Sequence, residues 1–404
     1  MKKSLIALSL LAATSAFAGP TQPVTELIGN TGDLLLAPVF NAGQGWNTEI
    51  KVVNTSTTLS TVAKVVYYDQ KTSAELLDFL IYLSPGDVWT GNTTCLNATC
   101  GSVGVVSTDD SWLKSDGTFP KVGESVTFPF ARNQTVGYVG VFEAAAFNAG
   151  AAPLAKTAVK AAYDGLAAGY FVEANTPNIL SGKARMVFNA TGVAAALPMT
   201  AIANYDNVAR LSPQVFTGFG SEAGSSSLTT TAQLETLIWG NNWVLPYDSA
   251  QGLSIASVTF PTRRTYECDN AALQCPTRGG AAGVGVYPFN NTSDAPVVGA
   301  VVVRDNAEQA ISQPGQVTSP PQPTFAPKFD EVGFLTLSAA ANNDNTGNAF
   351  AGLLNNASTG AFTAGWANLS FAGGVPAVVT QMVWNVTGSG VSSFEWFYPS
   401  NTGN

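Results

Sequence analysis

Ser111-Trp112-Leu113-Lys114 has the S-x-x-K spacing in which a lysine amine can take the proton of a serine nucleophile. The companion Ser-Asp-Asn and Lys-Thr-Gly sequences are missing. Lys71-Thr72-Ser73 is a poor substitute and precedes the motif. The flanking residues are rich in Gly, Ser and Asp, so the expectation is a solvated loop, whereas such chemistry needs a helix start. A pair of carboxylates could cleave glycosides without histidine. Glu143 and Glu173 are the best candidates, because each follows an aromatic strand-like run, GYVGVFEA (Gly137–Ala144) and GYFVEA (Gly169–Ala174). Their separation, on which that mechanism depends, is not fixed by the sequence. A strand-end glutamate facing water or a lysine is the commoner arrangement. The chain has no histidine. This removes Ser-His-Asp and Cys-His nucleophiles, histidine-held haem, and imidazole zinc or copper centres. The expectation is a protein that is not an enzyme and carries no cofactor beyond a possible calcium ion.

Two oxygen-rich runs could hold that calcium: Asp109, Asp110 and Asp116 in one, and Asn342, Asn343, Asp344 and Asn345 in the other. Calcium takes six to eight oxygen ligands, and neither run has the EF-hand pattern with its distant glutamate. Turn formation by Asn and Asp is the competing reading. Trp239 and Trp243, four apart among asparagines, could stack on a glycan, although core packing is the usual fate of tryptophan in a sandwich. Nucleic acid is excluded as a partner. The 18 basic residues are scattered against 27 acidic ones for a net charge of −9, and nucleic acid needs a clustered positive surface.

The elements that would position these residues are short and strand-like. Leu34–Phe40 is apolar, Thr48–Asn54 alternates in part, and Thr61–Tyr68 is rich in β-branched and aromatic residues. Asp78–Leu83 runs into the turn Ser84-Pro85-Gly86, and Val103–Val106 and Val136–Phe142 continue the series. Interruption by Gly, Pro, Asn or Asp every eight to twelve residues predicts an all-β protein of sandwich modules with long loops and little helix. Ala155–Ala168 and Thr229–Trp239 are the helical candidates. IKVVNTSTTLSTVAKVVYYD (Ile50–Asp69) and VGVYPFNNTSDAPVVGAVVVRD (Val284–Asp305) share a strand, an Asn-Thr-Ser turn and a Val-rich strand ending in Asp. This weak repeat predicts two modules, each with a hairpin at that turn. Gly218–Thr231 has the composition of a linker, and Gln313–Pro327 that of an extended Pro-rich loop. The expected divisions are 19–125 (an N-terminal sandwich), 126–225 (a β-rich middle) and 226–404 (a C-terminal sandwich containing the Pro-rich loop 313–327).

Residues 1–18 carry Lys2 and Lys3, an apolar run from Leu5 to Ala13, and small residues at Ala16 and Ala18. This is the pattern of a cleaved secretory signal peptide, and the apolar run is too short to span a bilayer. The expected location is extracellular or at the cell surface, with the periplasm as a further possibility. There cysteines oxidise. Four cysteines, Cys95, Cys100, Cys268 and Cys275, allow three connectivities, of which the two local pairings are simplest. Charged residues are 11% of the chain, against roughly 25% in ordinary soluble domains. A surface of Asn, Thr, Ser and Gln costs less to desolvate and suits packing against copies of the same chain.

The stretch from Trp46 through Asn-Thr-Ser to Tyr-Tyr-Asp, followed by FLIYLSPGD, resembles the immunoglobulin-like sandwiches of bacterial surface proteins. Asn241–Cys268, Gly365–Leu369 and Gly374–Trp384 extend the likeness to a group of exported proteobacterial cell-surface proteins with no assigned activity. The resemblance implies an exported β-protein and carries no catalytic residue. The function expected is therefore a non-catalytic subunit of a surface layer, filament or extracellular matrix. Its partners would be copies of itself or other surface components, and its N-terminal stretch Gly19–Leu36 would pair with a sheet edge, its own or a neighbour's. A glycan-binding module or adhesin and an outer-membrane β-barrel are the alternatives.

Overall fold

The structure, a computed structural model, describes residues 31–148, 154–167, 178–189, 192–205, 234–263, 296–308, 325–338, 354–384 and 391–396, together with 25–26 and 289. The first strands are β1 (Thr25–Glu26), β2 (Leu34–Asn41), β3 (Trp46–Asn54), β4 (Leu59–Asp69), β5 (Glu75–Leu83), β6 (Val88–Cys95), β7 (Val103–Ser107), β8 (Val126–Pro129) and β9 (Val136–Asn148). Helix α1 (Lys156–Ala167) follows, then β10 (Leu180–Phe188), β11 (Val193–Pro198) and β12 (Thr200–Ala203). The remaining strands are β13 (Trp239–Asp248), β14 (Leu253–Thr259), β15 (Val297–Val298), β16 (Ala300–Asp305), β17 (Lys328–Phe329), β18 (Val332–Ser338), β19 (Leu354–Ser358), β20 (Ala364–Pro376), β21 (Val378–Trp384) and β22 (Val391–Trp396). The protein is all-β, as composition and periodicity predict. The second helical candidate contributes a single turn at 234–238.

Sheet A has the order β1-β12-β2-β9-β4-β5 and sheet B the order β11-β10-β3-β6-β7-β8. Sheet C is β13-β20-β16, sheet D is β19-β18-β14-β21-β22, and β15 pairs with β17 apart from these. Among the described strands all pairings are antiparallel except β18 with β19. Sheets A and B face each other, with the Tyr67 hydroxyl 3.2 Å from Thr93 Oγ1 between them. The other face of sheet A packs on sheet D. Thr259 Oγ1 donates to the Pro38 carbonyl, Tyr138 to the Pro261 carbonyl at 3.2 Å, and the Val332 N–H to the Gln70 carbonyl at 2.9 Å. Sheet D in turn covers sheet C, so the layers run B, A, D, C.

This order explains why alternation fades in the central strands. Every residue of β2 and β14, and all but the first of β4, is buried, as expected of strands covered on both faces. The period of two persists as a division of labour. Leu253 and Ile255 of β14, Val332 and Phe334 of β18 and Val378 and Met382 of β21 join the core shared with sheet A. Their neighbours Ala256, Val258, Leu335, Leu337 and Val379 line a second core against Trp243, Val301 and Leu369 of sheet C. Pro129 and Pro246 lie in strands at the margins of sheets B and C, where no ladder N–H is required.

Several expectations are corrected. Asn54-Thr55-Ser56 does not turn a hairpin: β3 pairs with β10 and β6 in sheet B, whereas β4 pairs with β5 and β9 in sheet A. The turn is a corner that carries the chain between sheets. The matching turn of the second copy lies outside the described residues, as does the linker candidate 218–231. The stretch 126–225 is no separate module, because β9 sits between β2 and β4 while β10 to β12 extend both sheets of the first sandwich. Among the described residues no sheet closes on itself. No described helix is long and apolar enough to cross a membrane. The N-terminal stretch does pair with a sheet edge, and that edge belongs to its own chain: Thr25 and Glu26 lie opposite Ala203 and Ile202.

Candidate functional site

Among the described residues a cluster of titratable and hydroxyl groups brings Ser111 together with Asp87, Asp109, Asp110 and Lys156. Ser111 and Trp112 form no solvated loop, since both are 0% exposed. The Ser111 carbonyl accepts the Tyr82 N–H at 2.7 Å, and Trp112 bridges to Ile81, so the segment closes the free edge of β5. The Trp112 ring packs edge-on against Phe79 and Phe128, at centroid distances of 5.0 and 4.9 Å, within a cluster that includes Trp89. Burial of this tryptophan fixes the serine beside it.

The lysine three residues on, Lys114, is not the partner of Ser111. It pairs with Glu124 at 3.5 Å and Asp116 at 3.9 Å. The Ser111 hydroxyl instead receives a hydrogen bond from Lys156 Nζ at 2.8 Å. Lys156 also pairs with Asp87 at 3.1 Å and with Asp110 at shorter range. Burial, the largest influence, would lower the lysine's pKa, but hydrogen bonds and charge from Asp110 and Asp87 outweigh it and hold the ammonium above its ordinary range. A lysine so held cannot accept a serine proton near neutrality. Asp109 is pushed up by burial, against hydrogen bonds from Ser111 and the charge of Lys156, while Asp87 adds to the rise. Its Oδ1 caps the turn by accepting the Ser111 N–H at 2.8 Å.

The arrangement is a latch. Lys156 opens α1, and the apolar face of that helix, with Val159 and Tyr163, lies in the core beside Tyr82. A cation at a helix N-terminus opposes the macrodipole, and α1 has no acidic residue in its first turn. The local conflict is resolved by carboxylates from two loops of the sandwich. Sequence reasoning missed Lys156 and Asp87. The one available signal was the misplaced charge at the start of an otherwise amphipathic helix.

The other candidates are placed as follows. Asp116 turns back on Thr118, accepting its N–H at 2.9 Å and its hydroxyl at 2.6 Å, which pulls its pKa down. Asp109, Asp110 and Asp116 thus serve turns and the latch, and no group of three or more metal-binding side chains converges among the described residues. Asn342 and Asp344 lie outside those residues. Glu143 is 3% exposed and accepts the Thr61 hydroxyl at 3.1 Å and the Ile179 N–H at 3.5 Å. It ties strands together in the interior, and Glu173 lies outside the described residues. Trp243 is 0% exposed and meets Phe371 edge-on at 5.7 Å, so it is core and cannot stack on a glycan. Trp239 is half-buried, with its indole nitrogen over Gly374. A register shift between Gly240 and Asn242 separates the two tryptophans along β13. Cys95 and Cys100 are joined in a disulfide at the end of the β6–β7 pair. Cys268 and Cys275 lie outside the described residues.

Fold and site together define a class: an all-β protein of stacked sheets in which a cluster of polar side chains anchors a helix. Against known proteins the chain matches no family model, no curated protein and no solved structure.

Proposed function

We propose that this chain is an exported, non-catalytic structural protein of the cell surface. It would act as a self-assembling subunit of a layer, filament or matrix built from immunoglobulin-like sandwich modules. One observation carries the reading: the side chains best suited to chemistry, Ser111, Lys156 and their carboxylates, are engaged with one another as an anchor, with the ammonium held charged. Further support comes from the leader-like residues 1–18, the low charge density and the absence of histidine. Central sheets buried on both faces oppose separation of the layers, because pulling any two apart exposes apolar surface. Calcium and surface glycans remain candidate additives to such an assembly. The test is to express the whole chain with its leader, recover the processed protein from the cell exterior, and image it by electron microscopy with and without calcium. Ordered polymers or sheets are expected. A monodisperse, uncleaved intracellular monomer that turns over a substrate would refute the proposal.

A further inference from the structure

A second lysine is set differently from Lys156. Lys64, in the middle of β4, is 0% exposed, and its Nζ lies 2.5 Å from Asp78 Oδ2 on β5. In the β4–β5 register Lys64 is opposite Leu80 and Val66 is opposite Asp78, so Lys64 and Asp78 are diagonal neighbours on one face. Along β4 that face continues with Val62, Val66 and Tyr68, all at most 1% exposed. The Asp78 side chain is 24% exposed. An amine is thus held against a carboxylate on a buried face of β4, and the carboxylate side chain is in part open to solvent.

We propose that Lys64 and Asp78 condense into an intramolecular amide that ties β4 to β5. Transfer of a proton from the ammonium to the carboxylate gives a neutral amine and a carboxylic acid. The amine lone pair attacks Asp78 Cγ, forming the N–C bond. The nitrogen then loses a proton to the departing hydroxyl, the C–O bond breaks, and one water leaves through the exposed side of Asp78. No oxidant, nucleotide or metal is consumed. Two features favour the step. The buried ion pair carries a desolvation penalty that the neutral amide lacks. The strands also hold the reacting atoms together, a situation in which effective molarities reach roughly 10⁵–10⁸ M. The inference stands on β4 and β5 alone and does not depend on self-assembly.

Mass spectrometry of the purified folded chain decides the matter. The expected result is an intact mass below the sequence mass, after allowing for disulfides, by one water. Digestion should release a branched peptide joining Lys64 to Asp78. Asp78→Ala should restore the full mass, and Asp78→Asn, if it reacts, should lose ammonia instead of water. The wild-type measurement suffices even if the variants fail to fold. A full-mass chain with Lys64 and Asp78 in separate linear peptides overturns the proposal. So does a water loss confined to the Asp78 peptide and reversed by mild alkali, which marks a cyclic imide.

Discussion

Replacing Asn54 should show how strongly the corner between sheets B and A is held by one side chain. Asn54 is 0% exposed. Its Nδ2 donates to the carbonyls of Leu59 at 2.8 Å and Ser84 at 3.0 Å and approaches that of Leu83 at 3.3 Å. Its Oδ1 accepts the Ser56 N–H at 3.0 Å. Asn54→Ala removes these bonds and leaves carbonyls at a part-buried corner. At a net value of roughly 1 kcal/mol per hydrogen bond, the expected loss is about 2–4 kcal/mol. Asn54→Asp keeps the shape but turns the donor into an oxygen facing three carbonyls, so its cost at neutral pH should exceed that of alanine. Its carboxyl can donate only when protonated, which raises its folded pKa above the unfolded value near 3.9. The stability of Asn54→Asp relative to wild type should therefore be greatest below that value and fall as pH rises through the folded pKa. Urea unfolding of the three proteins across pH, at unchanged m, measures both effects. An Asn54→Ala loss below about 0.5 kcal/mol, or a pH-independent penalty in Asn54→Asp, would refute the role given to this amide.

Lys156→Met should cost about 1–2 kcal/mol, between the values for exposed and fully buried pairs, because the partners are 20–39% exposed; thermal unfolding followed by circular dichroism would register it as a lower midpoint. Folding raises the pKa of Lys156 above 10.5, and burial raises those of Tyr67, Tyr82 and Tyr163 above 10.0. Their contribution to stability is complete below those unfolded values and is lost as pH climbs through the folded ones. Ultraviolet titration of tyrosine should consequently show a late, cooperative step coincident with alkaline unfolding, and smooth ionisation near pH 10 in the folded chain would contradict this. Gly137→Ala would set a Cβ 1.9 Å from the Tyr68 carbonyl oxygen; since backbone must move, a loss of about 2–4 kcal/mol is expected in chemical denaturation. Reducing Cys95–Cys100 opens a short loop and should cost about 2 kcal/mol on the chain-entropy model, read as a midpoint shift between reduced and oxidised protein.

Much of the fold is legible along the chain. Leu34–Phe40, Thr48–Asn54, Thr61–Tyr68 and Val136–Phe142 all fall within strands, and Ala155–Ala168 brackets α1. β-branched and aromatic runs broken by Gly, Pro and Asn are local signals, and local signals survive without tertiary context. The partner of each strand is not local. Asn-Thr-Ser supports a hairpin and an inter-sheet corner equally well, because the same Asx turn serves both. What differs is which strands lie beside β3 and β4, and those come from residues 75–95, 136–148 and 180–188.

The site divides in the same way. From sequence alone, the absence of histidine, the turn-forming aspartates and the unusual Ser-Trp-Leu-Lys run are all visible. Sequence spacing assigns Ser111 to Lys114, and the fold assigns it to Lys156, because burial of Trp112 turns the serine inward while Lys114 remains outside with Glu124. Composition likewise leaves Trp243 free to be core or binding face. The stacking of sheet C on sheet D commits it to the core. The chain thus determines its own strands, turns and chemical repertoire. Which groups meet depends on the order in which layers stack, since burial and pairing are properties of surfaces brought together from distant segments.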